Sequence, residues 1–194
     1  MESTRIDSGS IGDASRYCTL AALEEGLHAL ATPKDGGHVA LIVVRGAGGR
    51  RAELTRVRLE VDGGLPGDAW GRRAEPHPGK AIAVMQSDVA DLIANGQPLT
   101  LFGDNLFLSL DLSTPNLPPG SRLRIGEALL EVTPMPHNGC HKFQARFGPD
   151  ALRFVANPEL RHRNLRGVYL RTVEGGEVAP GDPVAVTHRA RSLR

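Results

Sequence analysis

The chemistry-bearing side chains of this sequence gather in one short polar stretch, His137-Asn138-Gly139-Cys140-His141-Lys142. A thiol beside an ammonium and two imidazoles lies in a positive field, which lowers its pKa and enlarges the thiolate fraction. Each unit of such a shift is worth about 1.4 kcal/mol of preference for the charged form. A thiolate is a soft ligand for a transition metal, and it is also the group that carries persulfide sulfur. Gly139 removes the side chain before the sulfur, so a ligand can approach the backbone closely. The competing reading is a free cysteine packed as a small hydrophobe; the flanking charges weigh against full burial. A zinc site of His137, Cys140 and His141 is the weaker arrangement, because two ligands are sequence neighbours and no fourth is evident. Cys18 has no neighbouring His or Lys and reads as packing.

Two further segments carry candidates. Gly67-Asp68-Ala69-Trp70-Gly71-Arg72-Arg73 sets a carboxylate and two guanidiniums in a turn with the only Trp. Arg72 or Arg73 suits bidentate contact with a phosphate or carboxylate, or else belongs to a solvated loop. Asp68 can equally cap a neighbouring turn. Arg161 to Arg166 is the densest basic cluster, a weak nucleic-acid signal on a neutral chain. Gly46 to Gly49 follows a strand, but no GKS or GKT follows it, so a simple inter-strand loop is the better account.

These segments must be held by short strands. Val39 to Val44 is a continuous apolar run, and Val57, Leu59 and Val61 alternate with charged residues. Ala81 to Met85 is a second apolar run. Leu106, Leu108 and Leu110 alternate with Phe107 and Ser109, the period of a strand. Leu123 and Ile125 lead through Gly126-Glu127, a hairpin link with Gly first, into Leu130 and Val132. Pro134 and Pro136 stop that strand. Val168 to Val173 and Val184 to Val186 complete the set. Three short helices are expected: one with Leu20, Leu23, Leu27 and Leu30 on one face and Thr19 as N-cap, one over Asp88 to Asn95 capped by Ser87 and closed by Gly96, and one from Pro149 to Asn157. Many short strands between Gly and Pro turns, with a few short helices, define a mainly β chain folded as a distorted closed barrel. Loops converge at a barrel mouth, where pockets form.

Length and charge bound the rest. The 194 residues suit one domain, over 16–187 with its motifs in 39–186, between a polar mobile leader (1–15) and a basic tail (188–194). Such a domain buries about 70% of its unfolded surface and needs no metal or disulfide staple. Lys+Arg of 23 against Asp+Glu of 22 leaves +1, which gives no general pull toward nucleic acid or an anionic membrane. Five Phe, two Tyr and one Trp are a poor supply of base-stacking platforms. No signal-peptide pattern is visible and the longest apolar run is too short to span a bilayer. A cytoplasmic protein with reduced thiols is expected.

The order of motifs resembles the MOSC domain, the module named after the C-terminal part of molybdenum cofactor sulfurase. The matching pieces are Gly64-Leu65-Pro66-Gly67-Asp68, Gly103-Asp104-Asn105-Leu106, the Leu117-Pro118-Pro119-Gly120 to Gly126 hairpin, Glu131-Val132-Thr133, the Cys140 loop, Arg166-Gly167-Val168-Tyr169 and Gly181-Asp182. Many members carry Pro where this chain has Gly139, and Glu where it has Asp104. The resemblance implies a pyruvate-kinase-barrel-like β-barrel. It also implies a molybdenum cofactor (molybdopterin) site in which Cys140 ligates molybdenum or holds sulfur. Asp68, Arg72, Arg73, Asn105, His137, Lys142 and Arg166 are then the cofactor-binding candidates. It implies either a molybdenum-dependent oxidoreductase that reduces N-hydroxylated compounds, or a sulfur transferase, with an external electron-donor or sulfur-donor protein. A non-catalytic cofactor carrier is the alternative. A family-level association with pyridoxal phosphate also follows from it.

Overall fold

The computed structural model describes residues 11–191. Ten strands are present there: β1 Gly36–Arg45, β2 Arg51–Glu53, β3 Val57–Leu59, β4 Ile82–Gln86, β5 Leu106–Leu108, β6 Arg122–Ile125, β7 Ala128–Val132, β8 Val168–Glu174, β9 Gly176–Val178 and β10 Pro183–His188. The α-helices are α1 Leu20–Ala29, α2 Ser87–Ala94, α3 His141–Phe147 and α4 Pro149–Ala156.

Seven strands close into a barrel in the order β10-β6-β7-β8-β4-β5-β1, with β1 returning to β10. An odd number of strands cannot close with every neighbour antiparallel. The single parallel pair that resolves this is β4–β5, where Val84 faces Leu106 and Gln86 faces Leu108. A parallel pair needs a crossover rather than a hairpin, and α2 lies within it. β2 extends the sheet from the end of β1, and β3 pairs separately with β9.

Strand alternation sorts the apolar residues into two cores. Ile42, Ile82, Val84, Leu106, Leu108, Leu123, Leu130 and Leu170 fill the barrel interior. Val43, Met85 and Phe107 point outward and are covered by Leu23 and Leu27 of α1, Ile93 of α2, Phe143 and Phe147 of α3 and Phe154 of α4. Every residue of β4 and β5 is therefore buried, which is why Ala81 to Met85 reads as unbroken apolar sequence. Phe102 and Phe147 stack at 4.1 Å, and Phe102 also meets Phe107 and Phe143 at 6.0 Å. This aromatic cluster fastens α3 to the segment that opens β5.

Several local expectations hold. Thr19 accepts from the Ala22 amide as the α1 cap. Gly126 takes φ +53° as the first residue of the β6–β7 link, between the paired residues Ile125 and Ala128. At α2 the cap position is Gln86 rather than Ser87, which sits inside the first turn; Asn95 and Gly96 end the helix with positive φ. The Cys140 segment differs most. Only residues up to Cys140 are loop; His141 begins α3, and the apolar side that makes it a helix is Phe143 and Phe147.

Part of the expected leader and tail makes contacts. Gly12 N donates to Ala145 O at 3.0 Å, Asp13 N to Gln97 Oε1 at 2.8 Å and Tyr17 Oη to Ala145 O at 2.8 Å. Arg189 donates to Asp35 at 2.7 Å and Ala190 N to Ser121 at 3.1 Å. Residues 1–10 and 192–194 lie outside the described residues.

Gly167 opens β8 at φ +91°, and a Cβ there would stand 2.0 Å from Val84 O of β4. Gly167→Ala combines backbone strain with a steric clash, so it should destabilise the chain by about 3 kcal/mol. A urea titration followed by circular dichroism checks this, with the slope unchanged if the native state is otherwise intact.

Candidate active site at the barrel mouth

Two carboxylates, one from the loop after β3 and one from the turn before β5, organise the mouth. Asp68 is buried and accepts from Arg45 N and Nε at 2.9 Å, from the Arg45 guanidinium terminus, from Trp70 N at 2.9 Å and from Asn105 Nδ2 at 2.9 Å. Burial alone would push the Asp68 carboxyl up; the Arg45 guanidinium, with the Trp70 and Arg45 amides, holds it below the usual range. Asn105 is also buried. Its Oδ1 accepts from Ala83 N at 3.1 Å and Arg45 at 3.3 Å, and its Nδ2 also donates to Val43 O at 3.2 Å. Asp68 and Asn105 thus spend their hydrogen-bonding capacity inside the protein, where they fix Arg45 and tie β1 to β4.

Asp104 forms the second node. Its Oδ2 accepts from Arg166 at 2.6 Å, and its Oδ1 lies 3.6 Å from His137 Nδ1. Arg166 is buried, stands 5.2 Å over the Phe143 ring and reaches Phe102 O at 3.5 Å. The His137 side chain is 8% exposed and packs on Tyr169 at 4.4 Å. Burial pushes the His137 imidazole down to about 3, and the Arg166 cation adds to the fall against the opposing pull of Asp104. His137 is therefore neutral at pH 7. This corrects the expectation that both imidazoles add to the positive field at Cys140: a desolvated ring beside a guanidinium does not take the proton.

Arg51 and Arg146 complete a basic lattice around Gly103. Arg51 donates to Thr100 O and Leu101 O at 2.5 and 2.8 Å, Arg146 to Leu101 O at 2.9 Å, and Arg45 to Gly103 O at 3.1 Å. Burial pushes the Arg51 guanidinium down to about 10, with Arg146 and Arg45 repelling it further. Four guanidiniums (Arg45, Arg51, Arg146 and Arg166) thus face two buried carboxylates, a positive surplus that favours an anion nearby.

Cys140 is exposed and occupies the position before α3. Its sulfur is within electrostatic reach of Arg146. Residues 136–139, just ahead of it, form one wall of a 470 Å³ cleft. Val155, Leu160 and Leu165 form an apolar wall opposite, and Arg161 and Arg166 bring charge. Lys142 is exposed on the first turn of α3. Arg72 donates to Gly67 O at 2.6 Å and to Arg45 O at 2.8 Å, so it pins its own loop against β1 while remaining exposed. Arg73 is exposed in the same loop. His137 and Arg166 are thus brought together through Asp104, and Asp68, Asn105 and Arg72 join through Arg45; Cys140 follows the cleft wall in sequence and is not among the lining residues. Among the described residues no three His, Cys, Asp or Glu side chains gather as a metal site, and His137, Cys140 and His141 do not converge as the zinc arrangement requires.

Sequence reasoning passed over Arg45, Arg51, Arg146 and Tyr169 as site residues, and singled out Asp104 only as part of a motif at the mouth. Two signals were available. Arg45 ends the apolar run Val39 to Val44, which places a guanidinium at the end of a strand. Phe143, Arg146 and Phe147 share one helix face, which places a guanidinium among aromatics.

The MOSC domain family model matches residues 74–185, more than half of the chain, and the protein belongs to that family. The fold is similar to that of the YuaD protein of Bacillus subtilis (TM-score 0.60, 16% identity, 80% of this chain and 97% of that one). It is also similar to YiiM from Escherichia coli (TM-score 0.55, 21% identity, 80% and 72%) and to YiiM from Geobacillus stearothermophilus (TM-score 0.55, 18% identity, 80% and 77%). No curated protein matches the chain significantly.

Two measurements test this geometry. Asp68→Ala strands Arg45 and should cost about 3–5 kcal/mol, whereas Glu174→Ala, which breaks the exposed Arg124–Glu174 pair, should cost under about 1 kcal/mol. His137 titrates at 6.5 when unfolded and at about 3 when folded, so between these values the unfolded chain binds the extra proton. Stability present above pH 6.5 should then fall on acidification, by at most about 1.4 kcal/mol per pH unit from this group. Urea midpoints from pH 7 to pH 4 should slope less for His137→Gln than for wild type.

Proposed function

We propose that the chain binds the molybdenum cofactor at this cleft through Cys140 and acts in sulfur transfer or in molybdenum-dependent reduction of N-hydroxylated compounds. The observation that carries the reading is an exposed thiol directly following a cleft wall whose buried face holds Arg166 and Asp104. Membership of the MOSC family, which is associated with that cofactor, supports it.

The donor set suits such a group: one accessible soft ligand, and guanidiniums in excess over the carboxylates that face them. Cys140 would ligate molybdenum or carry the sulfur. Arg166, Arg73 and Lys142 would meet the pterin phosphate, and Asp68, Asn105 and Arg72 would act at one remove by fixing Arg45 and the 67–73 loop. When bound, the cofactor supplies two-electron chemistry at the metal. Reduction of an N–OH compound takes two electrons and two protons, breaks the N–O bond and releases water; the electrons come from a donor protein, and a sulfur-donor protein takes that place in sulfur transfer. A cytoplasmic setting, where both thiols stay reduced, belongs to the same reading. No helix among the described residues is long and apolar enough to cross a membrane.

The test uses protein purified from a host that makes the cofactor. Wild type should carry molybdenum and give oxidised-pterin fluorescence, and Cys140→Ser should lose the molybdenum. Zinc alone, or neither signal in wild type, overturns the reading. Turnover of a hydroxylamine-type compound with an added electron donor separates an enzyme from a carrier.

A further inference from the structure

His137 and Asp104 each hold one sealed polar atom without a partner, and the two atoms face each other. Nδ1 of His137 and Oδ1 of Asp104 are both buried and unbonded among the described residues, 3.6 Å apart. This is slightly beyond hydrogen-bond length, and contacts of this kind in unliganded sites tighten when the site fills. Leaving a buried polar atom unpaired is costly, because its lost hydration is not replaced. A proton on Nδ1 directed at the carboxylate satisfies both and leaves Asp104 ionised for its pairing with Arg166. Neither group is free to turn away. Arg166 holds the other Asp104 oxygen at 2.6 Å, and Tyr169 packs on the imidazole at 4.4 Å.

With its proton on Nδ1, a neutral imidazole keeps a bare lone pair on Nε2. Nδ1 is the nitrogen turned to Asp104, which leaves Nε2 as the one for a ligand, and His137 lines the cleft. The neutral state is enforced from several sides: burial, Arg166, Arg45 and Lys80 all oppose protonation, and Asp104 alone among the charged neighbours favours it.

We propose that His137 is a substrate-contacting residue that offers Nε2 to the cleft as a hydrogen-bond acceptor, with Asp104 and Arg166 as the residues that position it. The cleft then selects ligands that bring a donor, such as the N–OH or N–H of an N-hydroxylated compound. The substrate class rests on the reading above; the tautomer does not.

Nitrogen-15 NMR of the histidine rings in protein from the cofactor-making host decides the matter, with His137→Gln identifying the His137 signals among the seven histidines. Wild type should show the neutral Nδ1–H tautomer at pH 7. In Asp104→Asn, Arg166 claims the amide oxygen, so the NH2 group faces Nδ1 and should move the ring proton to Nε2. An Nε2–H tautomer or an imidazolium in wild type at pH 7 overturns the proposal, and this arm does not require Asp104→Asn to fold. N,N-dimethylhydroxylamine, whose only donor is its O–H, should shift the His137 Nε2 resonance, while its O-methyl ether should not. Equal shifts with both compounds, or none with either, overturn the donor selection. Wild type that lacks molybdenum yet passes both NMR tests sinks the cofactor reading and leaves this one standing.

Discussion

Two carboxylates sealed from bulk solvent are what the barrel mouth is built around. Asp68 and Asp104 are fully buried, and a buried carboxylate persists only where cations and amides replace its hydration. Arg45 and Arg166 supply that replacement. The guanidiniums are costly to bury in turn, and backbone carbonyls of the 100–103 segment accept from Arg45, Arg51 and Arg166. Neither charge set is tolerable without the other. The mouth is consequently a lattice of mutual obligations rather than a ring of independent loops, and the cleft inherits its rigidity.

The strand count puts that lattice where it is. A seven-strand barrel demands one parallel neighbour pair, and the crossover that joins β4 to β5 returns through Phe102, Gly103, Asp104 and Asn105. The chain re-enters the barrel at that point, so Asp104 and Asn105, which hold Arg166 and tie β1 to β4, occupy the connection across the single parallel pair. Gly103, at φ +91° with Arg51 and Arg146 close by, lets the backbone turn where a side chain would collide with guanidiniums.

Much of this was legible in the residues. The alternation of Leu123, Ile125, Leu130 and Val132 defined a hairpin, Ala81 to Met85 defined a strand covered on both faces, and Val39 to Val44 defined a strand that is buried at Val39, Ile42 and Val43 but exposed at Ala40. The order of Gly- and Asp-bearing motifs pointed to the family. The site was legible as a set of segments and not as a set of partners. Asp68 and Asn105 look like ligand contacts in sequence, because nothing local shows that Arg45, 23 residues before Asp68, consumes them. His137 looks like a cation beside a thiol, because local sequence does not report desolvation. Helix α3 was hidden by the polar run at its start; Phe143 and Phe147 are too few to establish a period by themselves.

The sulfur owes its place to an aromatic foundation. Phe143 and Phe147 seat α3 on Phe102, and Phe102 is the neighbour of Gly103 in the crossover. Thiol and buried carboxylate are therefore mounted on one stiff bracket, while the proline-bearing linker 133–139 merely spans from β7 to it. A linker of other length or composition would remodel the wall that residues 136–139 give the cleft, while α3 kept the thiol in registration with its electrostatic surroundings. The outline of the cleft and the position of the sulfur are, in this architecture, separately adjustable.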